Sequence, residues 1–317
     1  MKVTIKKNIR LFSKLAAESE VRGDEAHRTA VYTSVHEDSS TESTKQFTSA
    51  VEFRKKSIVK KIVISLFSIL AFGCSNKPSP DTLVVGTISG PETELVDVAQ
   101  KVAKKRYNLN IKIVEFSDYN LPNEALQDGT LDVNVYQHLP YLEESKKAHN
   151  YQIKAIGKTF IYPAGIYSDR FKSLKNLPMN PIIAIPNDPS NEVRALILLA
   201  KAKLIKFQRN TTPSIASIIS NPKHIRFREL DAAQLPRILE DVDAAVINTN
   251  YAIPAGLHPT RDALFIETKD SPYANLIVVK ENGQKSDKLA LFVKAMNSPE
   301  VASKANELFG DSAIAAW

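Results

Sequence analysis

The feature of this chain that most restricts its fold is a regular alternation of short apolar runs and helical periods from Thr82 onwards. Residues 82–87 (TLVVGT) and 111–116 (IKIVEF) have the composition of buried strands. Between them, residues 92–106 carry apolar side chains three and four positions apart, which is the spacing of an amphipathic helix. This alternation predicts an α/β protein in which mostly parallel sheets are flanked by helices.

A second series of the same kind begins near residue 182 and predicts a second lobe. The further predicted strands are 131–135, 159–168, 182–185, 225–230, 244–248, 264–267 and 274–280, and the further predicted helices are 123–127, 141–147, 191–204, 233–240 and those of 286–308. Their order predicts lobe one from residues 82–168 and 249–317, and lobe two from residues 169–248. The two crossings between the lobes form a hinge, and small molecules bind in the cleft of such folds.

Ahead of these lobes, three features in succession predict a secretory signal peptide over residues 51–73. Residues 54–61 are strongly basic, residues 62–72 carry no charge, and the small residue Gly73 comes next. The uncharged stretch of 11 residues is too short to cross a bilayer as a helix, because a crossing takes about 20 residues.

The chain's single cysteine, Cys74, stands directly after this segment. The string Ala71-Phe72-Gly73-Cys74 resembles a bacterial lipobox, although a Leu is usual at Ala71 and a smaller residue at Phe72. The alternative is a buried free cysteine in a core helix. We expect Cys74 to be lipidated and to begin a linker, residues 74–81. The acyl chain would tether the lobes to the extracytoplasmic face of a membrane, periplasmic or outer.

Residues 1–50 precede the signal peptide, and their last part is polar and rich in Ser and Thr. Two interpretations stay open. One is a start codon assigned too far upstream, and the other is an extension that buries too little apolar surface to fold alone. The first is favoured, because a signal peptide stands at the start of its chain.

Charge and residue types exclude several classes of function. Of the net charge of +7, +5 lies in residues 1–73, so the predicted lobes are nearly neutral and a nucleic-acid partner is not expected. One cysteine forms neither an internal disulfide nor a cysteine-based zinc site. The histidines lack the spacing of metal ligands, and His138 has no nucleophile beside it in sequence. We therefore expect neither an enzyme nor a metal or other cofactor.

The turn after the predicted strand at 182–185 has the residues of a carboxylate receptor. Asp188 can cap the following helix, with Pro189 at its first position. Asn191 and Arg194 then share one face near the helix N-terminus, where free N–H groups and the helix dipole attract an anion. The Arg194 guanidinium can hold a carboxylate through two parallel hydrogen bonds. The alternative is an arginine on the surface of a helix.

Aromatic side chains and one further amide are predicted at the same cleft. Tyr136 and His138 follow a predicted strand, and Phe160 and Tyr162 lie on the first crossing, where open α/β sheets bind ligands. Aromatic rings suit an apolar or thioether side chain, although any one of them could pack in the core instead. Asn248 lies at the second crossing and can pair with both the ammonium and the carboxylate of an amino acid.

Several strings in the chain are similar to those of a known family, the NlpA/MetQ lipoproteins. They are YNLPNEAL, LDVNVYQHLPYL, TFIYPAGIYS, PNDPSNEVRALILL, QLPR, AAVINTNYA and SPYANLIVV. The resemblance runs from about Leu83 to Trp317. It implies a two-lobe periplasmic-binding-protein fold with a type II-like arrangement.

The same resemblance implies a function, because members of this family are methionine-binding subunits of ABC importers. It implies a lipid anchor, a methionine-like ligand, and docking onto a permease with its ATPase subunit. Carried over residue by residue, Tyr136, His138, Phe160 and Tyr162 would line the side-chain pocket, and Asn191, Arg194 and Asn248 would hold the amino-acid backbone. Tyr141 and Asn187 are further candidates.

Both the exact ligand and the role of the protein stay open. D-Methionine and methionine-containing dipeptides carry the same carboxylate, ammonium and thioether as L-methionine. A surface lipoprotein acting as an adhesin or antigen is a second possibility, and an enzyme on the same scaffold is a third. Saturable binding of an amino acid would separate an importer subunit from an adhesin, and product formation would identify an enzyme.

Overall fold

The computed structural model describes residues 81–268 and 271–317. The predicted N-terminal extension, the signal peptide, the lipidation site Cys74 and the linker up to residue 80 lie outside these ranges. The predictions made for them are therefore not tested by the fold.

The described residues form helices and strands in alternation. The helices are α1 (Pro91–Tyr107), α2 (Leu121–Gln127), α3 (Leu139–His149), α4 (Pro189–Lys201), α5 (Thr249–Ala252), α6 (Pro259–Asp262), α7 (Ser286–Met296) and α8 (Pro299–Phe309). The strands are β1 (Thr82–Ile88), β2 (Asn110–Phe116), β3 (Val133–His138), β4 (Ile153–Ile161), β5 (Gly165–Tyr167), β6 (Ile182–Pro186), β7 (Lys206–Phe207), β8 (Ile218–Ser220), β9 (Arg226–Leu230), β10 (Ala244–Ile247), β11 (Phe265–Ile266), β12 (Ala274–Lys280) and β13 (Ile314–Ala315).

Two mixed sheets form the centres of the two lobes. The first has the strand order β13-β4-β12-β3-β1-β2 and the second has the order β11-β5-β10-β6-β9. Strand β1 runs parallel to β2 and β3, and β6 runs parallel to β9 and β10. The two-lobe α/β fold predicted from the sequence is confirmed.

The sheets contain more antiparallel pairing than the sequence predicted. Strand β12 is antiparallel to β3 and β4, and β5 is antiparallel to β10 and β11. The chain enters lobe two from the hinge through β5 and re-enters lobe one through β12. Strand β5 begins where β10 ends, with Gly165 opposite Ile247, and β12 begins where β3 ends, with Asn275 opposite His138. Each entering strand is therefore antiparallel to the strand beside which it begins.

The first crossing lies within the predicted segment 159–168, whereas the return does not lie at Asn248, where it was predicted. The first crossing is residues 162–164, between β4 and β5, and the return lies between β11 and β12. Residues 165–167 and 265–266 thus belong to the sheet of lobe two. Pro163 interrupts the apolar run that suggested one strand over 159–168, since proline has no N–H for a ladder bond.

Each sheet has its own hydrophobic core. Leu83 and Val85 of β1 pack with Leu95 of α1 and Phe292 of α7 in lobe one. In lobe two, β6 and α4 supply most of the corresponding core. Apolar residues at helical spacing on α1 and α4 give each helix one face to bury, which fixes both helices against their sheets.

The segment 233–240, predicted as a helix, contains only the short 3₁₀ turns Ala232–Gln234 and Leu239–Asp241. Pro236 lies between them and cannot donate the hydrogen bond that a continuous helix requires. Within the described ranges, no helix combines the length and apolar character needed to cross a bilayer.

Candidate functional site

A partly enclosed cavity lies where strand ends of both sheets meet the N-terminus of α4. Its walls are formed by residues from both lobes and from the first crossing. They are Tyr119, Tyr136, Gln137, His138, Tyr141, Tyr162, Asn191, Arg194, Asn248, Thr249, Asn250 and Asn275.

A hydrogen-bonded chain of buried polar side chains crosses this cavity. Asn191 Oδ1 accepts a hydrogen bond from Asn248 Nδ2 (2.8 Å) and lies 3.2 Å from His138 Nε2. Asn191 Nδ2 donates to both carboxylate oxygens of Asp188, each at 3.0 Å. Because His138 ends β3 and Asn191 belongs to α4, this chain links lobe one to lobe two.

The partners of His138 assign its tautomer. The Tyr141 N–H donates to His138 Nδ1 (3.3 Å), so that nitrogen is unprotonated and the proton is on Nε2, facing Asn191 Oδ1. His138 is thereby the N-cap of α3. Burial, with a smaller contribution from the positive charge of Arg194, lowers the pKa of His138 to about 3. The ring is therefore a neutral hydrogen-bonding group at physiological pH.

Arg194 forms a buried bidentate ion pair with Glu267, a residue that follows β11. Arg194 Nε donates to Glu267 Oε1 (2.9 Å) and Nη2 donates to Glu267 Oε2 (2.6 Å). Nη2 also donates to the carbonyl of Tyr162 (2.9 Å), and the ring of Tyr273 lies 4.3 Å from the guanidinium carbon. Burial alone would lower the pKa of Arg194, but the Glu267 carboxylate more than offsets it and raises that pKa. The guanidinium is thus a fixed cation in the cavity wall.

Four tyrosine rings form an aromatic cluster, of which Tyr119, Tyr136 and Tyr141 line the cavity. The ring centroid of Tyr119 lies 5.8 Å from that of Tyr136, 5.9 Å from that of Tyr141 and 4.9 Å from that of Tyr251. The Tyr141 hydroxyl donates to the backbone carbonyl of Tyr119 (2.8 Å). Ring edges and faces of this kind suit an apolar or thioether group.

A buried carboxyl group, Glu92, lies behind two amides of the cavity wall. Asn275 Nδ2 donates to its Oε1 (2.9 Å) and Asn250 Nδ2 donates to its Oε2 (2.8 Å). Asn275 Nδ2 also donates to the carbonyl of Tyr136 (3.2 Å). Burial raises the pKa of Glu92 to about 7, and the bonds from Asn275 and Asn250 partly oppose that rise. Glu92 thereby orients the two amides.

Glu92 and His138 give the stability of the protein opposite pH dependences. The folded-state pKa of Glu92, about 7, exceeds its ordinary value of 4.5, so stability falls as the pH rises from 4.5 to about 7. The folded-state pKa of His138, about 3, lies below its ordinary value of 6.5, so stability falls as the pH drops from 6.5 to about 3. The two slopes oppose each other between pH 4.5 and 6.5.

Replacing Glu92 by Gln should therefore remove the fall in stability between pH 4.5 and about 7. Relative to wild type, Glu92→Gln should gain roughly 3 kcal/mol of unfolding free energy between pH 4.5 and 7, measured by urea denaturation. Glu281→Gln is the matched control, because its partly exposed pair with Lys146 is remote from the cavity lining. A pH profile of Glu92→Gln parallel to that of wild type would contradict the assignment.

Most of the residues predicted for the site are brought together. Tyr136, His138, Tyr162, Asn191, Arg194 and Asn248 all line the cavity, as does Tyr141. Phe160 does not. Its ring is buried in the lobe-one core, 4.9 Å from the ring of Trp317 and 6.0 Å from that of Tyr162. Phe160 lies inside β4, whereas Tyr162 follows the end of that strand and reaches the cavity. Asn187 lies in an adjoining cavity instead.

Sequence reasoning missed several residues of the cavity and its support. Among them are Tyr119, Gln137, Thr249, Asn250 and Asn275 in the wall, and Glu92, Glu267 and Tyr273 behind it. Asn275 lies inside the string SPYANLIVV, so an inward polar residue in an otherwise apolar strand was a usable signal. Glu92 resembled an ordinary acidic residue of a first helical turn, and nothing in sequence connected Glu267 with Arg194.

Residues 83–317 match the model of the family described as NlpA lipoprotein. The chain belongs to the NlpA lipoprotein family. The family predicted from the sequence strings is thus confirmed, over nearly all of the part of the chain that the structure describes.

Two curated relatives are similar over most of their length. Outer membrane lipoprotein 3 of Mannheimia haemolytica is 45% identical over 256 residues, which cover 80% of this chain and 97% of the relative. D-methionine-binding lipoprotein MetQ of Salmonella typhi is 44% identical over 255 residues, which cover 79% of this chain and 94% of the relative. The relatives of this chain thus include one named as an outer membrane lipoprotein and one named as a D-methionine-binding lipoprotein.

Solved structures share the fold of this NlpA-family chain. The ABC transporter periplasmic substrate-binding protein of Coxiella burnetii is 54% identical, with a TM-score of 0.71, and the match covers 74% of this chain and 100% of that one. A nutrient binding protein from Burkholderia cenocepacia bound to methionine is 48% identical, with a TM-score of 0.72 and the same coverage of 74% and 100%. The periplasmic-binding-protein fold predicted from the resemblance is confirmed.

Proposed function

We propose that this NlpA-family protein binds methionine, or a close analogue, in the cavity between its lobes and delivers it to an ABC permease with its ATPase subunit. The observation that carries the proposal is the composition of that one cavity. It combines a buried guanidinium, amides from both lobes and an aromatic cluster. An α-amino acid with a thioether side chain has the matching groups.

Each part of such a ligand has a partner in the wall. The Arg194 Nη1 group takes part in none of that residue's bonds to Glu267 and Tyr162, so it is available for a carboxylate. The amide oxygens of Asn248 and Asn275 can accept hydrogen bonds from an ammonium. The tyrosine cluster around Tyr119 would receive the thioether. The names of the Salmonella and Burkholderia proteins support the same ligand.

A methionine-containing dipeptide is a second candidate, favoured by a second cavity that adjoins the first. Tyr141 lines both cavities, and the second is lined mostly by polar residues, which include Glu144, Asn187 and Asp188. An extended ligand could place its methionine in the first cavity and its second residue here.

The identity of whatever co-purifies with the protein tests the proposed function. The protein should be purified without added ligand and denatured, and the released small molecules identified by mass spectrometry. Release of L-methionine, D-methionine or a methionine-containing dipeptide is expected, and chiral chromatography distinguishes the first two. Release of an unrelated compound in equimolar amount would contradict the proposal.

We further propose that Cys74 carries the acyl chains that anchor the protein on the extracytoplasmic face of a membrane. The names of the curated relatives as lipoproteins support this proposal. Cells fed labelled palmitate should label the wild-type protein and not Cys74→Ala, which should also keep the mass of its precursor. Label on Cys74→Ala would contradict the proposal.

A further inference from the structure

Glu267 joins the two crossings of the hinge to the cationic residue of the cavity. Besides its two bonds from Arg194, Glu267 Oε2 accepts a hydrogen bond from the backbone N–H of Ala164 (2.9 Å) on the first crossing. The hydroxyl of Ser271 lies 3.5 Å from the same oxygen. The side chains of Arg194 and Glu267 are only 5% and 6% exposed, so solvent does not screen the pair.

This ion pair sets the charge that a ligand meets. The positive charge of Arg194 is balanced by Glu267, and His138 is neutral. The acidic groups described behind the wall are Asp188, which bonds to Asn191, and Glu92, which bonds to Asn250 and Asn275. A ligand carboxylate can therefore hydrogen-bond to Arg194, but among the residues that the structure describes around the cavity, a ligand with a net negative charge meets no uncompensated positive charge.

We propose that Glu267 is a positioning and specificity-determining residue, which holds the Arg194 fork in place and makes the cavity select zwitterionic amino acids over the corresponding anionic hydroxy acids. The proposal rests on the proposed function and specifies the ligand class of the same cavity. An arginine without this partner would attract the carboxylate of either ligand. With it, the ammonium of the zwitterion is needed to balance the charge that the carboxylate brings in.

The test compares two ligands that differ only at this group. L-Methionine and its deaminated counterpart, 2-hydroxy-4-(methylthio)butanoate, should be titrated calorimetrically into ligand-free wild type, Glu267→Gln and Glu267→Asp at neutral pH and low salt. Wild type should prefer methionine by at least about tenfold in Kd. Glu267→Gln uncovers the charge of Arg194, so this preference should fall by about tenfold or more.

Glu267→Asp separates charge from position, and it protects the test if the neutral variant does not fold. It keeps the negative charge but withdraws it by one methylene. Both affinities should therefore weaken by at least about fivefold, while the preference for methionine stays within about threefold of wild type. Glu281→Gln, which removes a carboxylate outside the cavity, should behave as wild type.

Different results would contradict the specificity role of Glu267, its positioning role and the proposed function. Equal binding of both ligands by wild type, or an unchanged preference in folded Glu267→Gln, would overturn the assignment of specificity to Glu267. Wild-type affinities in Glu267→Asp would overturn its positioning role. Failure of wild type to bind L-methionine, D-methionine or a methionine-containing dipeptide in the same assay would instead refute the proposed function.

Discussion

Arg194→Ala should weaken methionine binding by about 2–5 kcal/mol, which is the cost of removing one partner of a buried, hydrogen-bonded charge. It should also lower the free energy of unfolding by about 3–5 kcal/mol, because the Glu267 carboxylate is left buried without its cation. The two atoms that now donate to Glu267, Arg194 Nε and Nη2, are both lost. Calorimetry and urea denaturation measure the two effects.

Two further variants make this result specific. Arg194→Lys should recover only part of either loss, because an ammonium cannot form the bidentate pair. Arg261→Ala removes an arginine whose side chain is 63% exposed in its pair with Asp262, so stability and binding should both stay close to those of wild type. Wild-type affinity in Arg194→Ala would remove Arg194 from the ligand site.

Asn191→Ala is expected to have the second largest effect, because its amide oxygen is shared by groups from both lobes. Its loss leaves Asn248 Nδ2 and His138 Nε2 without their acceptor, and Asp188 without two donated bonds. An unpaired buried polar group costs about 1–3 kcal/mol, so methionine binding should weaken by roughly 2–4 kcal/mol. Calorimetry measures the loss.

The same substitution should shift the protein towards an open form. The contact between His138 and Asn191 joins the lobes, so ligand-free Asn191→Ala should have a larger radius of gyration in small-angle scattering than methionine-loaded protein. Saturating methionine should restore the compact form. Ser190→Ala is the control, since the hydrogen bond of the Ser190 side chain is to Asp188, which precedes the same helix, and does not join the lobes. If Asn191→Ala binds methionine and its radius of gyration does not change on binding, closure of the lobes would be contradicted.

The fold was largely predictable from the sequence, and the departures have local causes. Alternating apolar runs and helical periods were enough for two α/β lobes. The first crossing was predicted only to within residues 159–168, because apolar composition continues through Pro163 from one sheet to the other. The missing helix over 233–240 depended on Pro236. Both prolines are visible in the sequence, but the predictions followed the apolar pattern through Pro163 and Pro236 and did not end the strand or the helix at them.

The sequence predicted the site residues that belong to one local motif, but not those that reach the site through contacts between distant parts of the chain. Asp188, Asn191 and Arg194 lie within one helical turn or two, so helix geometry alone placed them together. Glu267 is 73 residues from Arg194 and Glu92 is 183 residues from Asn275. No periodicity connects such pairs. The buried partners that set the charge of the cavity therefore emerge only from the fold.

Calorimetric titration of ligand-free wild type with L-methionine, repeated with D-methionine and a methionine-containing dipeptide, tests the central claim most directly. The protein should first be emptied by reversible denaturation and its refolding checked by circular dichroism. We expect saturable binding at one site per chain for at least one of these ligands, weakened by about 2–5 kcal/mol in Arg194→Ala. Absence of saturable binding for all of them, or binding unaffected by Arg194→Ala, would contradict a methionine site in this cavity.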